Sequence, residues 1–196
     1  MAHLRRGRRP LRSPLPRLRG WWRRAERRGM IRGMPRVQVG TEVVEIRRVP
    51  VEGIIDLRHV ILRAGLPREA AIFPGDEVAT SRHYAAVTGG DGGERVVGCA
   101  TLHLNQYENE PAWQLRGMAV EPAFQSKGVG RALVEILERE AVGEAPARKE
   151  GGPVRLLWCN ARTPAVPFYR KLGWAAVSDE FYIPTAGPHF RMMKRL

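Results

Sequence analysis

Gly128 and Gly130 stand two residues apart, behind Gln125, Ser126 and Lys127, where an apolar run gives way to an amphipathic one. Glycine adopts positive φ and lets another group approach its backbone closely. The first N–H groups of a helix have no partner within it, and the helix dipole adds positive potential there. A Gln-x-x-Gly-x-Gly turn opening a helix is therefore suited to a phosphate or pyrophosphate. A Walker loop needs Lys-Ser/Thr after its last glycine, but Arg131-Ala132 follow Gly130. The dinucleotide fingerprint needs a third glycine and an acid about 20 residues on, at the end of the next strand. Position 125 is Gln, and Glu150 lies in a Gly/Pro stretch before that strand. A plain turn joining strand to helix also accommodates two glycines.

A second segment carries chemistry of its own. Asn160-Ala161-Arg162-Thr163-Pro164-Ala165-Val166-Pro167-Phe168-Tyr169-Arg170-Lys171-Leu172-Gly173-Trp174 follows an apolar run. A phenol such as that of Tyr169 can donate a proton to a leaving group, or can simply pack beside Phe168. Upstream of the glycine loop runs Gln114-Leu115-Arg116-Gly117-Met118-Ala119-Val120.

The three segments, in this order and at this distance, resemble the GNAT N-acetyltransferases. That family shows Gln/Arg-x-x-Gly-x-Gly/Ala after a strand ending in a Met-Ala-Val-like run. Downstream it shows Asn-x-x-Ala-x-x-Phe-Tyr-x-Lys-x-Gly-Phe. The resemblance spans roughly residues 42–196, and Leu57-Arg58 through Pro74-Gly75-Asp76 is similar to one uncharacterised subgroup. It implies an α/β (α+β) fold with a mixed, mostly antiparallel central sheet, splayed into a V-shaped gap and flanked by helices. It also implies transfer of an acetyl group from acetyl-CoA to a primary amine of a small molecule or peptide, by direct attack in a ternary complex. Met118, Ala119, Val120, Gln125, Ser126, Lys127, Gly128, Val129, Gly130, Arg131, Asn160 and Tyr169 become the acetyl-CoA contacts. A bulge near Gly117–Val120 would free N–H groups for the thioester carbonyl. Tyr169 matches the family's acid, which protonates the departing thiolate.

The base is less plain. An alkyl ammonium, with a pKa of about 10, must lose a proton before it can attack. Some family members use a glutamate where Gln114 stands, and Gln114 cannot take a proton. Glu110, His103, Glu180 and His189 are the alternatives. Glu180-Phe181 with Gly187-Pro188-His189 resembles the subgroup, which makes His189 and Glu180 the expected acceptor-site and catalytic residues alongside Tyr169.

These residues need a scaffold, and the hydrophobic pattern supplies one. Thr41 to Val49 reads as a strand and Val51 to Ala64 as a helix ended by Gly65 and Pro67. Arg58 and Arg63 on that helix read as a solvated face or as contacts for an anionic acceptor. His83 to Val87 and Val96 to Leu104 form a hairpin about Gly89-Gly90-Asp91-Gly92-Gly93. His103 in it reads as a plain structural histidine. Ala112 to Val120 is the strand before the loop. The helix after the loop buries Val129, Leu133, Ile136 and Leu137, with Glu135, Glu138 and Arg139 outside. Val154 to Cys159 is a buried strand. The next helix takes Thr163 as N-cap and Gly173 at C′, with Pro167 costing one backbone bond. Trp174 to Ile183 and Phe190 to Leu196 close the sheet.

The charge is lopsided. Residues 1–36 hold thirteen Arg and one acid, Glu26, which accounts for +12 of the formal +13. Four prolines and little apolar periodicity predict a disordered arm over 1–36, followed by a catalytic domain over 37–196. Clustered Arg with Trp21-Trp22 could neutralise phosphates and stack on bases, so nucleic acid or an anionic surface is a candidate partner. A transit peptide, or a start at Met30 or Met34, would also account for the arm. A non-catalytic CoA-binding module, in which this arm is the functional part, is the alternative function. No apolar run approaches 18 residues, so no transmembrane segment and a cytoplasmic location are expected. Two cysteines read as reduced and structural, no Cys/His spacing matches a zinc site, and no metal is expected. A homodimer is among the candidate assemblies.

Overall fold

The computed structural model describes residues 34–90, 93–143 and 154–196. The expectations for the arm thus lie outside the described residues up to position 33, as do Asp91-Gly92 and the polar loop at 144–153.

The chain builds one nine-stranded sheet. Its strands are β1 (Arg36–Val39), β2 (Glu42–Val49), β3 (Arg82–Gly90), β4 (Gly93–Tyr107), β5 (Glu110–Val120), β6 (Leu156–Arg162), β7 (Ala175–Ala176), β8 (Phe181–Ile183) and β9 (Gly187–Arg195). The order is β1-β2-β3-β4-β5-β6-β9-β7, with β8 also on β9. Every pair is antiparallel except β5 with β6. Among the described residues three α-helices flank it: α1 (Glu52–Leu62), α2 (Val129–Gly143) and α3 (Val166–Lys171).

Both faces of the sheet are covered, as the alternation along β3 shows. Tyr84 and Ala86 join the larger core, with Val129, Leu133 and Leu137 of α2 and Val166 and Tyr169 of α3. Ala85 and Val87 join the second core, with Ile54 and Leu57 of α1. Each such apolar side chain stabilises the fold by about 1.5–3 kcal/mol, and together they fix which strand end meets which helix end.

Several elements differ from their sequence signals. β1 begins at Arg36, inside the stretch assigned to the arm, and pairs with β2 across the Gly40-Thr41 turn. Four residues with two valines give too short an alternation to announce a strand. The segment from Trp174 to Ile183 is two short strands, both bonded to β9. Thr163 does not cap α3. Residues Thr163–Ala165 form a 3₁₀ turn, and the Thr163 hydroxyl bonds Glu180 instead. α3 therefore starts at Val166, and Pro167 falls in its first turn, where no N–H is missed. Gly173 does end α3, at φ +82°. Its N–H reaches Arg170 O and that of Trp174 reaches Tyr169 O, a Schellman closure. Glu138 on α2 is not simply solvated: it accepts from Trp174 Nε1 at 3.0 Å and from Lys194 Nζ at 2.8 Å.

Candidate active site

β5 and β6 pair only at Trp113↔Leu157 and Gln114↔Trp158, and then part. A cleft of about 290 Å³ opens between them. Gln114 to Met118 line one wall and Cys159 to Arg162 the other. Tyr169 from α3, His189 from β9, and Leu62, Arg63 and Phe73 from the α1 side complete it.

β5 is bulged beside the cleft. Cys99 faces Ala119 and Thr101 faces Arg116, so β5 carries one residue more than β4 there. The extra residue is accommodated at Gly117, with φ +59°. A bulge leaves backbone groups outside the ladder, in the strand predicted to meet a thioester carbonyl.

A charged network holds this bend from below. Arg58 is fully buried, which overturns its reading as part of a solvated face. Its Nη1 donates to Asp76 Oδ2 and to Ala71 O, and its Nη2 to Thr101 Oγ1 at 2.7 Å. Asp76 also accepts from Arg116 Nη2 at 3.0 Å and from the Phe73 N–H. A buried carboxylate between two guanidiniums offsets its desolvation here because both of its oxygens accept from a charged donor. His83 bridges Asp76 O and Thr101 Oγ1. The sequence shows the spacing of Arg58 and Asp76 but not their pairing, because they approach each other only when α1 and the following loop fold over β4. Burial lowers the pKa of His83, outweighing the opposing pull of Asp76.

Tyr169 is buried, and its hydroxyl donates to Met118 Sδ at 3.4 Å. A thioether is a weak acceptor, so the phenol proton is loosely held. Burial, then the neighbouring Cys159, raises the Tyr169 pKa well above the usual phenol value. The phenol stays protonated and can act as a donor, never as a base. Burial likewise pushes the Cys159 thiol up to about 12, and both cysteines are free.

His189 is buried beside Phe181, and its Nδ1 lies 2.8 Å from Gly187 O. A carbonyl only accepts, so Nδ1 donates to it, and in the neutral ring Nε2 is the nitrogen that carries the lone pair. Glu180 does not reach the cleft: it is exposed, with its carboxylate on Thr163 Oγ1 at 2.7 Å. His103 does not line the cleft either, its Nδ1 being 2.8 Å from Ser81 Oγ. Asn160 lines the cleft, with Oδ1 3.4 Å from Arg191 Nε.

The glycine loop lies beyond Met118. Gln125 turns back, its Nε2 donating to Val120 O at 3.0 Å, so this side chain ties loop to strand. Ser126 and Gly128 have φ of +59° and +88°. The first helical bond runs from Ala132 N to Gly128 O. Among the described residues the N–H groups of Ser126 through Arg131 find no acceptor. A Cβ on Gly130 would stand 3.2 Å from Met118 Cε, so loop, strand and α3 are in close contact. Lys127 and Arg131 are exposed, with Arg131 3.9 Å from Glu135. Among the described residues no cluster of His, Cys, Asp and Glu could hold a metal, and no helix is long and apolar enough to cross a membrane.

A splayed β5–β6 pair, a bulge on β5 and an anion-ready turn opening α2 define an acyl-CoA N-acyltransferase fold. Comparison with known proteins agrees. Residues 79–176 match the family described as "Acetyltransferase (GNAT) domain", which is half of the chain. The uncharacterized N-acetyltransferase YitI of Bacillus subtilis (strain 168) is 28% identical over 157 residues, covering 79% of this chain and 97% of that protein. Among solved structures, Escherichia coli ElaA superposes with a TM-score of 0.58 at 17% identity, over 78% of this chain and 99% of that one. Arabidopsis thaliana NAA60 in complex with acetyl-CoA gives 0.57 at 13% identity, over 78% and 98%. The chain belongs to the GNAT acetyltransferase family and is an acyltransferase.

Proposed function

We propose that this enzyme transfers the acetyl group of acetyl-CoA to a primary amine of a small molecule or peptide, by direct attack in a ternary complex. The observation that carries this reading is the pairing of two groups in one cleft. Tyr169 offers a phenol proton beside Met118 Sδ and Cys159, and His189, its Nδ1 tied to Gly187 O, leaves Nε2 as the nitrogen to take a proton. Acetyl-CoA fits the remaining features. The unpaired N–H groups of Ser126 through Arg131 would hold its pyrophosphate, with Gly128 and Gly130 leaving room for it. Bound there, it would supply an activated acetyl thioester. NAA60, a structural neighbour, is seen with acetyl-CoA in the corresponding fold.

Each residue then has one task. His189 Nε2 takes the proton that keeps an ammonium from attacking. Tyr169 donates to the sulfur as negative charge develops on it, and its raised pKa favours hydrogen bonding over complete proton loss. The freed backbone at the Gly117 bulge steadies the carbonyl oxygen. Gln114, hydrogen-bonded to Asn105 Nδ2 at 2.9 Å, lines the cleft without taking a proton.

The test is release of free thiol from acetyl-CoA over a panel of amines, amino acids and short peptides, with acetyl-CoA binding followed by calorimetry. Amine-dependent release is the expected result. Tight acetyl-CoA binding with no turnover of any amine would sink the amine-acceptor reading.

A further inference from the structure

Among the described residues, two cations in the cleft have no counterion. Arg63, just past the end of α1, and Arg162, at the end of β6, both line it. Arg63 Nη1 and Arg162 Nη2 donate to one and the same carbonyl, Leu62 O, each at 2.9 Å. Among the described residues neither forms a salt bridge. Glu180 is turned to Thr163 Oγ1, and Asp76 is already shared by Arg58 and Arg116. The mutual cost is visible at Arg63, where burial, then the charges of Arg162 and Arg58, lower the pKa. A guanidinium nonetheless remains charged at neutral pH. Two like charges anchored at one carbonyl in a partly enclosed site repel, and the Phe73 ring, 5.0 Å from Arg63 Cζ, repays this only in part. A bound carboxylate or phosphate would supply the rest, because the guanidinium fork matches both.

The pair also stands where an acceptor would lie. Arg162 is the direct cross-strand partner of His189, so their side chains rise from the same face of the sheet. The loop that opens α2 lines no part of this cleft, so the phosphates of the acetyl donor have a separate seat.

We propose that Arg63 and Arg162 form an anion subsite for the acceptor, and that the acceptor is a small amine bearing a carboxylate or phosphate. This rests on the amine-acetylation reading above. The anion docks on the two guanidiniums and presents its amine to His189 Nε2. Cationic polyamines are repelled, because their second ammonium would meet two guanidiniums.

The experiment uses the full chain and matched acceptors: amino acids against their decarboxylated amines, and phosphoethanolamine against ethanolamine. The anionic member of each pair should be acetylated at least tenfold more efficiently in kcat/KM. Arg63→Gln and Arg162→Gln should each raise the acceptor KM at least tenfold and leave the acetyl-CoA KM within about twofold. Equal or better turnover of the neutral or polycationic members would overturn the inference and leave amine acetylation standing. If no amine turns over, calorimetry with malonate and with inorganic phosphate on CoA-saturated protein decides it separately. Binding that both arginine variants lose supports the subsite. No binding, or binding that survives in both variants, removes it.

Discussion

The guanidinium of Arg58 fills the space that a side chain at Gly117 would need: a Cβ there would stand 2.7 Å from Arg58 Nε. Gly117 also has φ +59°, where any L residue is strained. The bulge that shapes the cleft thus depends on a missing side chain and on a buried charge that uses the room. Gly117→Ala should cost about 2–4 kcal/mol, combining left-handed strain with overpacking. Urea unfolding measures it directly. A loss below about 0.5 kcal/mol would mean that Arg58 moves aside freely and does not set the bend.

The same network makes stability depend on pH. Burial is the first cause lowering the pKa of both His83 and His103. A histidine whose folded pKa is depressed binds more protons unfolded than folded. Its contribution is therefore fully present above the unfolded pKa, about 6.5, and is lost as pH falls below that. The urea midpoint should drop between pH 7.5 and 5.5, and His83→Gln should flatten that slope. An unchanged slope in the variant would assign the effect to other groups.

How far could this have been read from the chain itself? The loop, β5 and Tyr169 are legible because their signals are local: glycines at a turn, an apolar run, a motif within fifteen residues. The larger core of α2 is legible because Val129, Leu133, Ile136 and Leu137 repeat at helical spacing. What escapes is pairing between distant segments. Nothing in the sequence tells that Arg58 is buried on Asp76 while Arg63, five residues on, faces the cleft. Glu180 and His189 are nine residues apart and look equivalent as acceptor-site residues. Only the β8–β9 turn sends the first to the surface and the second inward.

Gly128 tests the donor site. At its φ of +88° any L side chain is strained, and a branched one would crowd an anion held by the loop N–H groups. Gly128→Val should weaken acetyl-CoA binding at least tenfold, about 1.4 kcal/mol, by calorimetry on protein whose circular dichroism is unchanged. Unaltered affinity in such a folded variant would place the pyrophosphate elsewhere.

Tyr169→Phe removes one oxygen, which touches only the weak sulfur acceptors Met118 Sδ and Cys159 among the described residues, so packing against Phe168 and Trp174 should survive. If the phenol assists the leaving sulfur, kcat should fall roughly 10²- to 10⁴-fold, with the KM for acetyl-CoA little changed. Single-turnover thiol release separates chemistry from product release. A chemical step as fast as in the wild type would remove Tyr169 from the mechanism.

His189→Gln is the sharpest test of the base. The glutamine amide offers no lone pair suited to an ammonium proton, and an unchanged circular dichroism spectrum would show that the β8–β9 turn survives loss of the bond to Gly187 O. At pH 7 kcat/KM should fall about 10²-fold or more. The variant should then depend on the small fraction of acceptor that is already a free amine. That fraction grows tenfold per pH unit below the amine pKa of about 10. The variant's log kcat/KM should therefore climb with a slope near one from pH 7 to 9.5, while the wild type levels off earlier. Profiles of the same shape in both would mean that another group takes the proton. Glu180→Gln, run beside it, decides between the two acceptor-side residues. Its carboxylate is exposed and already bound to Thr163, so this variant should stay within about twofold of wild type. A large loss there, with His189→Gln active, would hand the role of base to Glu180 and require the Thr163 contact to open during turnover.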